Sequence, residues 1–414
     1  MRRRVVVTGL GALTPVGNDV ASTWAALLAG QSGAGPITQF DASTFPVRFA
    51  CEVKGFDPLS YMDRKEAKRS DLYTQYALAA SLEAMRDAGF ADGHGFDPHE
   101  SGVIIGSGIG GLKIFEAQHD VYRTLGSSKI SPFFIPMFIS NIAAGIVSMR
   151  FGLKGPNMST VSACATSGHS IGEAYRTIQY GDADVMLAGG AEATITPMAI
   201  GGFANMKALS ERNDDPVGAS RPFDRDRNGF VAGEGAGVVV LEELGHAQRR
   251  GARIHGEIIG YGATGDAYHL TAPAPDGEGA QRAMRRALRD GALAAEHVGY
   301  INAHGTSTPQ GDPNEIRAIK AVFGDHAWAL NVSSTKSMTG HLLGAAGGLE
   351  FIVALLATRE GRIPPTINQQ NSDPDCDLNV TPNTAVSRAV DVALSNVFGF
   401  GGHNVSLAVR RFQS

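Results

Sequence analysis

Val161-Ser162-Ala163-Cys164-Ala165-Thr166-Ser167-Gly168-His169-Ser170-Ile171-Gly172-Glu173-Ala174 has a distant echo in the same chain: Val332-Ser333-Ser334-Thr335-Lys336, then Gly340-His341-Leu342-Leu343-Gly344-Ala345-Ala346. Both read as a strand end, a turn of small residues and a helix, and both contain Gly-His-x-x-Gly. A second pair, Gly102-Val103-Ile104-Ile105-Gly106 and Gly299-Tyr300-Ile301-Asn302-Ala303, precedes the first in the same order. Two matches in one order predict two similar halves. The boundary falls near Gly251, giving residues 1–251 and 252–414. Around these segments, short apolar runs ending in glycine alternate with helical patterns. Residues 5–7, 103–105, 185–188 and 238–241 read as buried strands, and 73–88, 169–180, 279–292 and 342–358 as helices. The alternation predicts an α/β fold with largely buried sheets.

Composition narrows the function. A chain of 414 residues, 43% hydrophobic and 19% charged, can bury a large core. Three cysteines (Cys51, Cys164, Cys376) cannot build a disulfide framework and point to a reducing compartment. A net charge of -5 lacks the footprint of a nucleic-acid binder. Met1-Arg2-Arg3-Arg4-Val5-Val6-Val7-Thr8-Gly9 has the charge and apolar run of a signal peptide, but it breaks at Thr8 and Gly9 with no clear cleavage site, and reads better as a first buried strand. No apolar run is long enough to cross a bilayer. The expectation is a cytoplasmic protein with no membrane insertion. Histidines are scattered and no cysteine pair has zinc spacing, so no metal is expected.

Cys164 stands at the strand-to-helix junction of the opening segment. There the positive end of a helix dipole favours thiolate, and a thiolate attacks thioesters. The competing reading is a small buried thiol. Partners decide between them. In Asn302-Ala303-His304-Gly305-Thr306-Ser307-Thr308-Pro309-Gln310-Gly311-Asp312, a histidine follows an apolar strand at the end where α/β sites form. Ser333-Ser334-Thr335-Lys336-Ser337-Met338-Thr339-Gly340-His341 adds a lysine and a second histidine. The echo places this segment opposite the Cys164 turn, so that Cys164, His304 and His341 converge between the halves. Ser395-Asn396-Val397-Phe398-Gly399-Phe400-Gly401-Gly402-His403-Asn404 reads as a hairpin, or as a loop bringing a backbone N–H to a substrate oxygen. Gly106-Ser107-Gly108-Ile109-Gly110-Gly111 fits a dinucleotide fingerprint, but the strand and acid that should follow are missing. A tight turn between closely packed backbones is the better reading.

Together these segments resemble the β-ketoacyl-[acyl-carrier-protein] synthases of the thiolase superfamily, and among them the elongating type II enzymes of fatty-acid synthesis. The resemblance runs from Arg3-Arg4-Val5-Val6-Val7-Thr8-Gly9-Leu10-Gly11 to Phe398-Gly399-Phe400-Gly401-Gly402, through residues 105–112, Ser131-Pro132-Phe133-Phe134 and Ser220-Arg221-Pro222-Phe223-Asp224. It implies a duplicated thiolase-like fold, five layers α-β-α-β-α with two mixed sheets around central helices, and a homodimer. It implies decarboxylative Claisen condensation of an acyl chain with malonyl-carrier protein. Cys164 would take the acyl chain, and His304 and His341 would promote decarboxylation. Lys336 would tune the electrostatics or pair with Glu350. Thr306 and Thr308 would hold the phosphopantetheine arm, which arrives on the carrier, so no resident cofactor is implied. The backbone N–H groups of Cys164 and Phe400 would form the oxyanion hole, with Phe400 also a gate. Ile109 and Phe134 would line the acyl pocket, Phe134 from the dimer partner. Arg64, Lys65, Lys68 and Arg69 repeat at i, i+4 spacing. With Lys207, they would dock an acidic acyl carrier protein on a net-negative enzyme. Two residues depart from the family pattern: Pro313 where a charge is frequent, and His403 where a small hydroxyl residue is usual.

Three alternatives share the resemblance. A biosynthetic thiolase needs a second cysteine near the C-terminus, where this chain has Phe400 and His403. A chain-length factor lacks the nucleophilic cysteine. A polyketide ketosynthase subunit would keep every motif.

Overall fold

A computed structural model describes residues 2–90 and 93–413. In chain order, the strands of its main sheet are β1 (Val5–Leu13), β2 (Ser101–Gly106), β3 (Asn157–Met158), β4 (Val185–Glu192), β5 (Gly235–Glu243), β6 (Gly256–Gly265), β7 (Val298–Asn302), β8 (Asn331–Ser333), β9 (Val392–Gly399) and β10 (His403–Arg410). They lie in the order β3-β2-β4-β5-β1-β6-β10-β9-β7-β8. That order is a palindrome when each of the first five strands is matched with the strand five places later. The pairing senses match as well. β1–β5, β5–β4, β6–β10 and β10–β9 are antiparallel; β4–β2, β2–β3, β9–β7 and β7–β8 are parallel. The two mixed sheets meet edge to edge where Val5, Val6 and Val7 pair with Ile258, Glu257 and Gly256. All four strands expected from apolar runs lie inside β1, β2, β4 and β5.

Six helices make the layers: α1 (Leu72–Asp87), α2 (Ile142–Phe151), α3 (Thr166–Tyr180), α4 (Glu278–Asp290), α5 (Gly311–Phe323) and α6 (Ala346–Glu360). α1 and α2 cover the outer face of the first sheet, and α4, backed by α5, covers the second. α3 and α6 pack on each other and touch strands of both sheets, which gives five layers. Sequence explains these positions. Every residue of α6 from Ala346 to Thr358 is buried, the mark of a helix enclosed on all sides. The strands alternate their allegiance: Val239 and Leu241 join the central core, whereas Val238 and Val240 join the outer core with Tyr73, Tyr76 and Met85. A strand apolar on both faces needs cover on both faces. Burying each large apolar side chain here contributes about 1.5–3 kcal/mol.

Glycines set how closely the outer helices approach. A Cβ at Gly9 or Gly11 on β1 would lie 2.1 Å from Ala84 O or 1.9 Å from Ala80 O of α1. A Cβ at Gly260 or Gly262 on β6 would lie 2.2 Å from Ala287 O or 2.0 Å from Ala283 O of α4. The same Gly-x-Gly contact is built twice.

The register of the echo needs correction. A 3-10 turn, Ala163–Ala165, leads into α3, and another, Leu343–Ala345, leads into α6. The first residue of each is left-handed, Ala163 at φ 51 and Leu343 at φ 48. Cys164 is therefore matched by Gly344, not by the Lys336 segment. Gly168-His169 lies within α3, whereas Gly340-His341 precedes its turn, so the shared Gly-His-x-x-Gly spacing is coincidental. The second half carries an extra turn, Lys336–Thr339, between β8 and this point, which sequence spacing alone does not reveal.

Candidate active site

Cys164 is buried in the turn that opens α3. Gly399 packs against it so closely that a Cβ there would lie 3.1 Å from Cys164 N and 2.9 Å from Ser162 O. This contact brings the β9–β10 hairpin to the thiol. The N–H of Phe400, one residue on, faces the Cys164 sulfur, as does the N–H of Cys164 itself.

His304 follows β7, and His341 lies between the Lys336–Thr339 turn and α6. Glu315 of α5 holds the first loop, its carboxylate accepting from His304 N at 3.0 Å and Gly305 N at 2.8 Å. His341 N donates to Val231 O at 2.8 Å. The two rings meet edge-on, centroids 5.3 Å apart. Cys164 Sγ and one ring nitrogen of each histidine lie within 4.8 Å of one another. His304 Nδ1 and both ring nitrogens of His341 are buried without hydrogen-bond partners.

A cavity of about 560 Å³ opens on these groups, lined also by Ile109, Thr306, Thr308, Phe398 and Phe400. Thr306 and Thr308 share a hydroxyl–hydroxyl hydrogen bond of 3.1 Å. Lys336 is buried and paired with Glu350 of α6. Behind Ile109, the buried carboxylate of Glu192 accepts from Ser107 Oγ and Gly108 N, each at 2.8 Å, and from Gly344 N at 2.9 Å. The glycine-rich turn after β2 thus wraps a carboxylate of the protein itself.

Electrostatics correct one expectation. Burial pushes the Cys164 thiol up to about 12, against the opposing pull of Lys336 and the Phe400 N–H. Desolvation outweighs the helix terminus, and the resting group is a thiol. Burial also drives His304 and His341 well below the usual histidine range, reinforced by Lys336 and, for His304, by His341. Both rings are neutral near pH 7. Burial raises Glu315 and Glu350 to about 7, with nearby hydrogen bonds and Lys336 opposing.

Comparison with known proteins decides the family. The β-ketoacyl synthase N-terminal domain matches residues 2–247, and its C-terminal domain matches residues 255–370. The chain belongs to the β-ketoacyl synthase family. It is 54% identical over 412 residues to the 3-oxoacyl-[acyl-carrier-protein] synthase 2 of Synechocystis sp., covering 100% of this chain and 99% of that one. A β-ketoacyl synthase from Burkholderia phymatum superposes with a TM-score of 0.92 at 37% identity, covering 99% of this chain and 100% of the other. A type II PKS ketosynthase, in complex with its acyl-carrier protein and bound to the hexaketide, also gives 0.92, at 34% identity with both chains fully covered.

Other residues singled out in the sequence lie apart from the triad of this synthase. Phe134 does not line the cavity; its ring stacks on Phe138 at 5.8 Å and neighbours Phe115 at 6.2 Å. Arg64, Lys65, Lys68 and Arg69 are exposed around a one-turn helix, with Arg69 over the Phe133 ring at 4.1 Å. They do not line the cavity, whereas exposed Lys207 does. His403 faces His169 edge-on at 6.1 Å, and His169 Nδ1 lies 2.7 Å from Ser162 Oγ. Pro313 is buried in the first turn of α5. Sequence reasoning missed Glu315 and Glu192. Glu315 had a signal: it sits one turn before Ile319 on the apolar face of α5. Glu192 had a weaker one, an acid ending a buried strand. No helix among the described residues is long and apolar enough to cross a membrane.

Proposed function

We propose that this chain elongates acyl chains by decarboxylative condensation with malonyl-[acyl carrier protein], giving 3-oxoacyl-[acyl carrier protein] in fatty-acid synthesis. The observation that carries this reading is the convergence of a buried thiol and two neutral imidazoles on one cavity, in a chain 54% identical to a 3-oxoacyl-[acyl-carrier-protein] synthase 2. The polyketide reading rests on a relative of 34% identity, and the higher identity favours fatty acids.

Cys164 Sγ attacks the acyl thioester on the carrier. The departing carrier thiol takes up the thiol proton, and the N–H groups of Cys164 and Phe400 bond the tetrahedral oxyanion. Malonyl-carrier then enters. One N–H from each neutral imidazole of His304 and His341 donates to the thioester oxygen, so carbon dioxide leaves a stabilised enolate. The enolate carbon attacks the acyl carbonyl on Cys164, the bond from that carbon to the Cys164 sulfur breaks, and the departing thiolate takes a proton from water. Lys336, paired with Glu350, adds its charge to the burial that keeps both rings unprotonated. Thr306 and Thr308 hold the phosphopantetheine arm, which travels on the carrier. Phe400 gates entry, and Ile109 bounds the acyl chain.

The working unit of this reading is a cytoplasmic homodimer made of the halves 1–251 and 252–414 in duplicate. The edge strand β3 supports it: Met158 is 48% exposed and nearby Val161 58%, an apolar edge that a second copy would cover. Phe134 would then reach the partner's acyl pocket. The acyl carrier docks on Arg64, Lys65, Lys68, Arg69 and Lys207.

The test separates the two half-reactions. Cys164→Ala should stop condensation yet still decarboxylate malonyl-carrier. His304→Ala should still take up an acyl group yet lose decarboxylation. Condensation at the wild-type rate by Cys164→Ala would overturn the mechanism.

A further inference from the structure

The same three side chains have a second chemistry. A thiol sulfur and two imidazole nitrogens lie within 4.8 Å of one another at the base of an open cavity. His341 is 2% exposed and neither of its ring nitrogens has a partner; His304 Nδ1 is likewise unpaired. Cys164 is free. One thiolate with two neutral imidazoles is a borderline-soft donor set. It suits Zn²⁺ and discriminates against Mg²⁺ and Ca²⁺, which take oxygen ligands. Zn–N bonds of about 2.0–2.1 Å and a Zn–S bond of about 2.3 Å put tetrahedral ligand atoms roughly 3.5 Å apart. The triad needs to contract by about 1 Å to reach that. All three residues line the cavity, so water from it can complete the coordination.

We propose that Cys164, His304 and His341 form a Zn²⁺-binding site in the resting protein, and that the bound ion blocks acyl transfer. Binding exchanges one proton for the metal: the S–H bond breaks, its proton goes to solvent, and an S–Zn bond forms with no change of oxidation state. The imidazoles give up no proton. An acyl group on Cys164 removes the thiolate ligand, so acylated protein excludes the ion and substrate competes with metal. Lys336 opposes the binding, because its ammonium charge acts on all three ligands. This inference goes beyond condensation, and its test needs no turnover, so it can fail while the mechanism above stands.

The experiment titrates the full chain, reduced with a phosphine, with Zn²⁺ against a chromophoric chelator. One Zn²⁺ per chain should bind at micromolar or lower concentration, unaffected by excess Mg²⁺. Cys164→Ala and His341→Ala should each weaken binding by at least about tenfold. Lys336→Met should tighten it. Co²⁺ should give a thiolate-to-metal charge-transfer band that vanishes in Cys164→Ala. Should a variant misfold, the wild-type protein still decides: Zn²⁺ should slow iodoacetamide alkylation of Cys164, resolved from Cys51 and Cys376 by peptide mass spectrometry. Absence of stoichiometric binding, equal affinity in folded Cys164→Ala, or unaltered Cys164 alkylation would each overturn the site.

Discussion

The turn before α3 and the turn before α6 share a backbone and differ in use. Each begins with a left-handed residue, Ala163 or Leu343, and each feeds a helix enclosed between the sheets. In the first half the next residue is Cys164, open to the cavity. In the second it is Gly344, whose N–H is bound by Glu192 and where a Cβ would lie 2.3 Å from Gly108 N. The loops after β2 and β7 repeat the theme. Each has backbone N–H groups clamped by a buried carboxylate, Glu192 or Glu315, but only the second presents a histidine. Duplication therefore supplied two equivalent scaffolds, and the chemistry divided between them. The thiol comes from one half and both imidazoles from the other, so the site exists only where they join.

The sharpest way to break this comparison is to exchange the residues at the two turns. Cys164→Ala should lower condensation by at least about a thousandfold. Adding Gly344→Cys should restore nothing, because the second turn is sealed by Gly108 and Glu192. Recovery of acyl transfer in the double variant would show the turns to be interchangeable. Next in size are the glycine contacts. Gly11→Ala and Gly262→Ala each force a methyl group onto a helix carbonyl about 2 Å away. Each should destabilise by about 3 kcal/mol or more, seen as a lower denaturation midpoint. Similar losses would confirm that the halves hold their outer helices alike; a loss at only one site would limit the symmetry to topology.

These contacts explain which parts of the molecule were legible. Strand and helix positions were, because burial on both faces leaves apolar runs that only a layered α/β fold can hide. Cys164 and His304 were, because each follows a strand end with a small-residue turn, whereas His341, beyond the Lys336–Thr339 turn, was singled out through the echo and the family resemblance. The register of the repeat was not: the Lys336–Thr339 turn shifts the second half, and a chance Gly-His-x-x-Gly match hid the true partner, Gly344. The protonation of Cys164 was misjudged because a helix terminus is visible in sequence, whereas desolvation comes from burial among residues distant in the chain, such as Phe230 and Leu343. Glu315 and Glu192 escaped because most of their bonds come from backbone N–H groups, which carry no residue type to read in sequence.

Acid should expose the unequal halves through stability. His304 and His341 sit well below their unfolded value of about 6.5. Below that pH the unfolded chain binds protons that the folded one refuses, so these groups destabilise the fold progressively as pH falls. Glu83, Glu234, Glu315 and Glu350, raised to about 7 chiefly by burial, act oppositely. Their contribution is fully present below about pH 4.5 and is lost as pH rises through 7. The clean measurement is a difference. Relative to His304→Gln with His341→Gln, the wild type should lose about 1 kcal/mol per histidine between pH 7 and pH 5.5 in denaturant titrations. Parallel curves would mean that the rings titrate normally.

The smallest effect concerns the surface, where the first half carries the basic cluster and the cavity mouth carries Lys207. Lys65→Glu with Lys68→Glu reverses two exposed charges that pack against nothing essential, so stability should hold within about 0.5 kcal/mol. Affinity for an acidic acyl carrier protein should fall several-fold at low salt and converge on wild type at high salt, because exposed charges act over a Debye length of about 10 Å at 0.1 M. Lys207 is held by Glu211 at 3.1 Å, an exposed pair worth about 0–1 kcal/mol, so it remains available to a partner. If Lys207→Glu weakens the carrier and the double reversal does not, docking belongs to the cavity mouth, where the second half contributes Thr306 and Thr308, and the helical cluster is only a solvated face.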